Sequence, residues 1–155
     1  VVVKKKHHTD PIVMLCPHFD ISPEQFGPWK EHCDDFYKAA METDDLLCYG
    51  MAFNDGGVHV PQGYRSAEAL LEHLRRADRP MTEALKQSTL RRVEVYGHRS
   101  QLAKVKGQMP KIGDCSFQFF EAYPKMTSIR RPSEFSGHPG SDALVSCHVK
   151  VKVAG

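Results

Sequence analysis

Residues 63–97 read GYRSAEALLEHLRRADRPMTEALKQSTLRRVEVYG, and the order of elements in this stretch decides the fold. Tyr64 closes a strand. Ser66 is a helix N-cap, since its hydroxyl can accept from an orphan backbone N–H of the first turn. Ala67, Leu70, Leu71 and Leu74 follow at three- and four-residue spacing, the apolar stripe of an amphipathic helix. Pro80 punctuates that helix, and a short further helix is expected over 81–88. Residues 90–96 (LRRVEVY) then read as a strand, which Gly97 breaks.

Upstream, residues 12–19 (IVMLCPHF) form a short apolar run, a strand that Pro17 demotes to an edge or marks with a bulge. Ser22-Pro23 with Gln25 reads as a capped helix start. The helix behind it carries Phe26, Trp29, Cys33, Phe36, Tyr37, Ala40 and Met41 on one face and ends near 43–45. A second strand is expected over 46–53 and a third over 58–64. Asn54-Asp55-Gly56-Gly57 joins them as a hairpin, because these residues tolerate positive φ. Downstream, 100–108 reads as a helix with Leu102 and Val105 inward. Pro110 and Gly113 mark a loop, and 115–123 (CSFQFFEAY) reads as a strand. The order β-α-β-β-α-(α)-β-α-β opens with the ferredoxin-like split βαβ arrangement, an α+β fold.

The 63–97 stretch, continued by HRSQLAKVKGQM over 98–109, resembles the ABM-type dimeric α/β barrel superfamily, named for antibiotic biosynthesis monooxygenases. The resemblance covers about residues 10–123. It implies a ferredoxin-like sandwich, homodimers whose two sheets close a barrel, and a pocket between each sheet and its helices. Members include cofactor-independent oxygenases, haem-degrading enzymes and domains without demonstrated activity. The haem-degrading members set a Trp and a His on or near the second long helix and an Asn on the first strand. Here His73 has no Trp beside it, and the first strand offers His18 and no Asn, which counts against haem degradation.

Fold does not give function, so the candidate residues carry the rest. His73, at the border of the Leu70–Leu74 stripe, is the candidate general base; a histidine there also fits simple packing. Trp29, Tyr64, Phe36 and Phe117 are candidate pocket-lining residues, with Tyr64 and Trp29 orienting an aromatic ring. Tyr64 and His59 differ in parity, so only one of them can face the pocket. Asn54 reads as turn chemistry. His7-His8 beside three lysines lacks fixed geometry for a metal, and the remaining histidines show neither HxxxH nor HExxH spacing. No nucleotide loop or GxSxG elbow occurs. The expectation is therefore no bound metal and no cofactor.

The chain has 155 residues and a mass of 17.5 kDa, which suits one domain able to fold without disulfides. Its 41% apolar and 26% charged residues are a globular composition that argues against wholesale disorder. Five cysteines, an odd number with no CxxC pair, read as thiols in a reducing compartment, the cytosol or an organelle interior. No apolar run reaches the roughly 18 residues of a membrane helix. No secretory leader is read, and Val1 in place of Met suggests a processed or trimmed chain.

The net charge of +2 hides two basic ends. Residues 1–9 form a tail with Lys4, Lys5 and Lys6, and 10–123 form the domain. A Pro/Gly/Ser-rich linker spans 124–142 and holds Arg130 and Arg131. The last segment, 143–155, alternates Val145, Cys147, Val149, Val151 and Val153 with polar residues, a half-buried strand in need of a sheet edge. Two function classes follow. One is an ABM-like domain binding a small aromatic or apolar molecule, as a cofactor-independent monooxygenase. The other is a non-catalytic subunit fastened to a larger complex by Lys4, Lys5, Lys6, Arg130, Arg131, Val149 and Val151. A homodimer or a larger hetero-assembly is expected, and nucleic acid is not, for want of an aromatic-basic groove.

Overall fold

The structure, a computed structural model, describes residues 11–112 and 114–122. The expected tail with Lys4, Lys5 and Lys6, the linker with Arg130 and Arg131, and the strand with Val149 and Val151 lie outside the described residues.

Strand β1 (Val13–Asp20) is the centre of a mixed sheet. β6 (Thr89–Gly97) pairs antiparallel along its whole length. On the other side, β5 (Gln62–Tyr64) pairs its first half and β4 (Gly57–His59) its second. β2 (Leu46–Tyr49) lies beyond β5, and β3 (Ala52–Asn54) beyond β4. β7 (Ser116–Glu121) adds to β6 in parallel, which requires a crossover; α5 (Arg99–Lys106) supplies it. Leaving β7 aside, the order is the antiparallel split βαβ arrangement that the sequence predicts.

Pro17 does not make β1 an edge. Its carbonyl accepts from Val60 N–H at 3.0 Å, so its absent N–H faces the same side of an antiparallel ladder. There the opposing chain is interrupted at Val60 and Pro61, between β4 and β5. The proline thus sits where the ladder to β4 and β5 is already broken. The bulge falls one step on, between His18 and Phe19 against β6. The strand expected over 46–53 is split in the same way at Gly50 and Met51, and Gly50 N–H bridges the two gaps by donating to Pro61 O at 3.0 Å.

The helices all follow from local chemistry. Ser66 accepts from Ala69 N–H at 3.2 Å and caps α3 (Ala67–Arg76). The long helix expected from Ser22 is instead three pieces: a 3-10 turn (Pro23–Gln25), α1 (Phe26–Lys30) and α2 (Cys33–Met41). Ser22 makes no side-chain cap bond. Pro28 lacks the N–H that would join the 3-10 turn to α1, and i→i+3 bonds from Glu31 to Pro28 and from His32 to Trp29 break the rod again. Pro80 does not separate two helices; it lies in the first turn of α4 (Asp78–Ala84), where a missing N–H costs nothing. His98 caps α5 by accepting from Ser100 N–H, so the helix begins at Arg99, one residue before the expected start.

The core lies between one sheet face and these helices. Val13, Leu15, Phe19, Val58, Val60, Val93 and Val95 meet Trp29, Phe36, Leu70, Leu71 and Leu102 there. Residues of the opposite parity, among them Met14, Cys16, His18, Glu94 and Tyr96, form the second face, which no described helix covers. No helix among the described residues is long and apolar enough to cross a membrane.

Candidate functional site

His73 points from α3 into the layer between sheet and helices and is 2% exposed. Its ring lies 5.4 Å from that of Tyr64 and 5.8 Å from that of Tyr49, centroid to centroid. Nδ1 lies 3.3 Å from Thr43 Oγ1. The Thr43 hydroxyl has one proton, and it donates that proton to Ala39 O at 2.8 Å. A carbonyl only accepts, so Thr43 Oγ1 must accept from His73 Nδ1–H. This fixes the tautomer and leaves Nε2 as the basic nitrogen. Burial removes the solvation of the imidazolium and pulls the His73 pKa down to about 4, so the ring is neutral at physiological pH.

A cavity of about 20 Å³ adjoins His73, room for about one water molecule. Leu15, Pro17, Phe19 and Val60 floor it, Phe36, Leu74, Ala77 and Met81 roof it, and Tyr49 and Gln62 join His73 as its polar groups. Tyr64 O–H donates to Gln62 Oε1 at 2.5 Å. Burial pushes the hydroxyl pKa values of Tyr49 and Tyr64 well above the ordinary phenol range. Both therefore stay protonated and can only act as hydrogen-bonding phenols.

The candidates read from sequence fall in different places. His73 and Phe36 line the cavity. Tyr64 packs against His73 and reaches the cavity through Gln62, while His59, of opposite parity, is on the other face. Trp29 is fully buried among Phe19, Phe36 and Phe53 and donates from Nε1 to Ser88 Oγ at 3.1 Å. It stands one shell behind Phe36. Phe117 sits on β7, in register with Val93, at the far edge of the sheet. Asn54 makes the turn bond, accepting from Gly56 N–H at 3.0 Å.

The second sheet face holds a cluster that no spacing rule singled out. Cys16 and His18 on β1 meet Glu94 on β6, and ligand-type atoms of the three lie within 4.8 Å of one another. Beside them an open cleft of about 280 Å³ is lined by His18, Asp20, Asn54, Gly57, His59, Arg91 and Arg92 among others. Burial lowers the His18 pKa, opposed by its contact with Glu94. Burial and the Glu94 charge push the Cys16 thiol up to about 11. The only sequence signal was Cys-x-His in a strand, which puts both side chains on one face; Glu94 arrives through sheet register, 76 residues further along than His18 by the numbering.

No family model matches the chain, and neither does any curated protein. Solved structures do. MupZ from Pseudomonas fluorescens is 30% identical, with a TM-score of 0.69, over 79% of this chain and 96% of its own. A conserved protein from Methanosarcina mazei Go1 shares the fold at 10% identity and a TM-score of 0.51, over 57% of this chain and 93% of its own. SnoaB, a cofactor-independent oxygenase from Streptomyces nogalater, superposes more loosely, with a TM-score of 0.48 and 10% identity over 57% of this chain and 94% of its own.

Proposed function

Because this chain belongs with MupZ to the ABM-type (antibiotic biosynthesis monooxygenase-like) α/β barrel superfamily, we propose that it binds a small aromatic or apolar molecule between the sheet and α2, α3 and α4, and oxidises it with molecular oxygen without a bound cofactor. The observation that carries this reading is His73, a neutral imidazole with its Nδ1 proton committed to Thr43, in the wall of a mainly apolar cavity whose other polar groups are Tyr49 and Gln62.

Without a cofactor, the electrons that reduce the second oxygen atom to water must come from the substrate itself. The balanced reaction takes a methylene, made acidic by an adjoining ring system, and one molecule of oxygen to a ketone and one molecule of water. One oxygen atom becomes the carbonyl, and the other leaves with both methylene hydrogens. His73 Nε2 takes the first proton, and the resulting carbanion reduces oxygen. A base whose pKa is held low by burial is weak before substrate arrives. The anion it generates is its own counter-ion, and in a dry site that pairing raises the imidazole pKa. The Tyr49 hydroxyl and the Gln62 amide are the dipoles that meet charge as it develops. A ring is larger than the cavity, so Leu74 and Met81, both only partly buried, yield to admit it.

The homodimer implied by the resemblance belongs to the same proposal and brings the uncovered sheet faces together. The alternative, a non-catalytic subunit held by its tails, rests on residues outside those described, and no described residue favours it.

The test uses a hydroxylated anthrone as probe, with a chelator present. Oxygen uptake should match substrate one to one, with water and no peroxide as the reduced product. His73→Leu should lower kcat by about 10²–10⁴-fold, the usual worth of a general base. Trp29, the single tryptophan, packs on cavity-lining Phe36 and reports binding by its emission. Unchanged emission together with no oxygen uptake across a panel of such aromatics would overturn the reading.

A further inference from the structure

Three side chains of metal-binding type converge on the sheet face away from His73. Cys16 and His18 are two apart on β1 and so project from the same face. The β1–β6 register sets Glu94 directly opposite Cys16 and two residues along from the His18–Arg92 pair. Cys16 Sγ, a His18 ring nitrogen and a Glu94 carboxylate oxygen all lie within 4.8 Å of one another. Tetrahedral ligands on zinc stand about 3.3–3.8 Å apart, given bonds of roughly 2.0–2.3 Å. The ligand atoms thus need to approach one another by about 1 Å to hold the ion.

His18 supplies an independent indication. Its Nδ1 is buried without a hydrogen-bond partner, while Nε2 lies 3.1 Å from Glu94 Oε2. A buried ring nitrogen left this way is costly and calls for an explanation such as an ion. Glu94, in turn, is already oriented as a ligand would be. Arg92 Nε donates to its Oε1 at 2.9 Å, and Tyr96 O–H donates to its Oε2 at 2.8 Å. Such outer contacts fix a ligating carboxylate.

We propose that Cys16, His18 and Glu94 bind one divalent ion of the zinc class, leaving the fourth tetrahedral position to water on the cleft side. The sulfur ligand selects zinc, cobalt or a similar ion over magnesium and calcium. Cys16 binds as the thiolate, so its S–H proton passes to solvent as the S–metal bond forms. Thiolate and carboxylate together neutralise the ion, so Arg92 faces a centre of no net charge. A thiol must give up its proton to bind, so affinity rises with pH. The three ligands are separate from the His73 cavity, so the metal site and the His73 chemistry can each fail alone, although the ligands lie on the sheet face that the proposed homodimer would bring against its partner.

Cobalt(II) is the spectroscopic probe. Titrated into the full chain, one equivalent should produce a thiolate-to-cobalt charge-transfer band and tetrahedral d–d bands, both displaced by zinc. Cys16→Ser should abolish the charge-transfer band, and Glu94→Gln should weaken cobalt binding by about tenfold or more. Cys115→Ser should change nothing. A second measurement needs no variant. One equivalent of zinc should slow alkylation of Cys16 by at least about tenfold, as a bound thiolate is withdrawn from reaction, and leave Cys115 unaffected. Absence of the band at one equivalent, its survival in Cys16→Ser, or equal Cys16 alkylation with and without zinc would each overturn the proposal.

Discussion

Acidification should destabilise the protein through His73 by a measurable amount. The ordinary imidazole pKa is 6.5, and in the folded chain burial lowers that of His73 to about 4. The sign follows from proton counting. Between these two values the unfolded chain holds the proton and the folded chain does not, so stability rises with pH across the window and falls as the pH drops. Above the unfolded value both states are neutral and nothing is lost. Each pKa unit corresponds to about 1.36 kcal/mol, so the loss between pH 7 and pH 4 is about 3 kcal/mol.

Other groups also titrate there, notably His18 and several carboxylates. The decisive quantity is therefore a difference. His73→Asn keeps an N–H donor near the Nδ1 position and removes the titration. Urea unfolding of both proteins at half-unit intervals from pH 7 to pH 4 isolates the His73 contribution. The wild type should lose about 3 kcal/mol more than the variant. Parallel curves would show that the ring is solvated in the folded state, and the tautomer argument would fall with it.

Three further outcomes are expected. Gly57→Ala places a Cβ against the Phe19 carbonyl of the central strand, so it should cost about 2–4 kcal/mol in chemical denaturation; an unchanged midpoint would mean β4 can move away from β1. Trp29→Ala removes the ring that joins Phe19, Phe36 and Phe53 and should cost about 3–5 kcal/mol, followed by circular dichroism. Tyr96 and Phe120 stack at 4.8 Å on the uncovered sheet face and are both exposed. Phe120→Glu should shift sedimentation equilibrium from a dimer to the 17.5 kDa monomer; a dimer that survives it does not use this face.

The sequence made the helical layer of the fold legible where caps and stripes are local. Ser66 with Leu70, Leu71 and Leu74 marked α3, and Asn54–Gly57 marked the hairpin. His73 was visible for the same reason, as a polar residue at the margin of an apolar stripe. Proline was the main source of error, because its effect depends on position relative to hydrogen bonds made elsewhere. Pro17 is harmless in a central strand only because β4 and β5 are interrupted opposite it. Pro80 is harmless only because α4 begins two residues earlier. The Cys16, His18 and Glu94 cluster was illegible, since it exists only once β6 adopts its register against β1.

That register makes β1 the element on which both candidate chemistries depend. Its odd residues, Val13, Leu15, Pro17 and Phe19, face the helices, and three of them floor the His73 cavity. Its even residues Cys16 and His18 face the cluster with Glu94. A one-residue slip would exchange the two sets, burying Cys16 and His18 in the core and exposing Leu15 and Phe19. The bulge after His18 absorbs an extra residue on β6, Arg91, without carrying the shift back along the strand. Arg91 then turns to pair with Asp20 instead of entering the core, and Leu90 regains the inward parity. The hydrophobic pattern of one face thereby fixes the polar geometry of the other. A substitution that weakens the apolar face of β1, such as Leu15→Ala, is thus expected to loosen the Cys16–Glu94 pair as well as the His73 cavity.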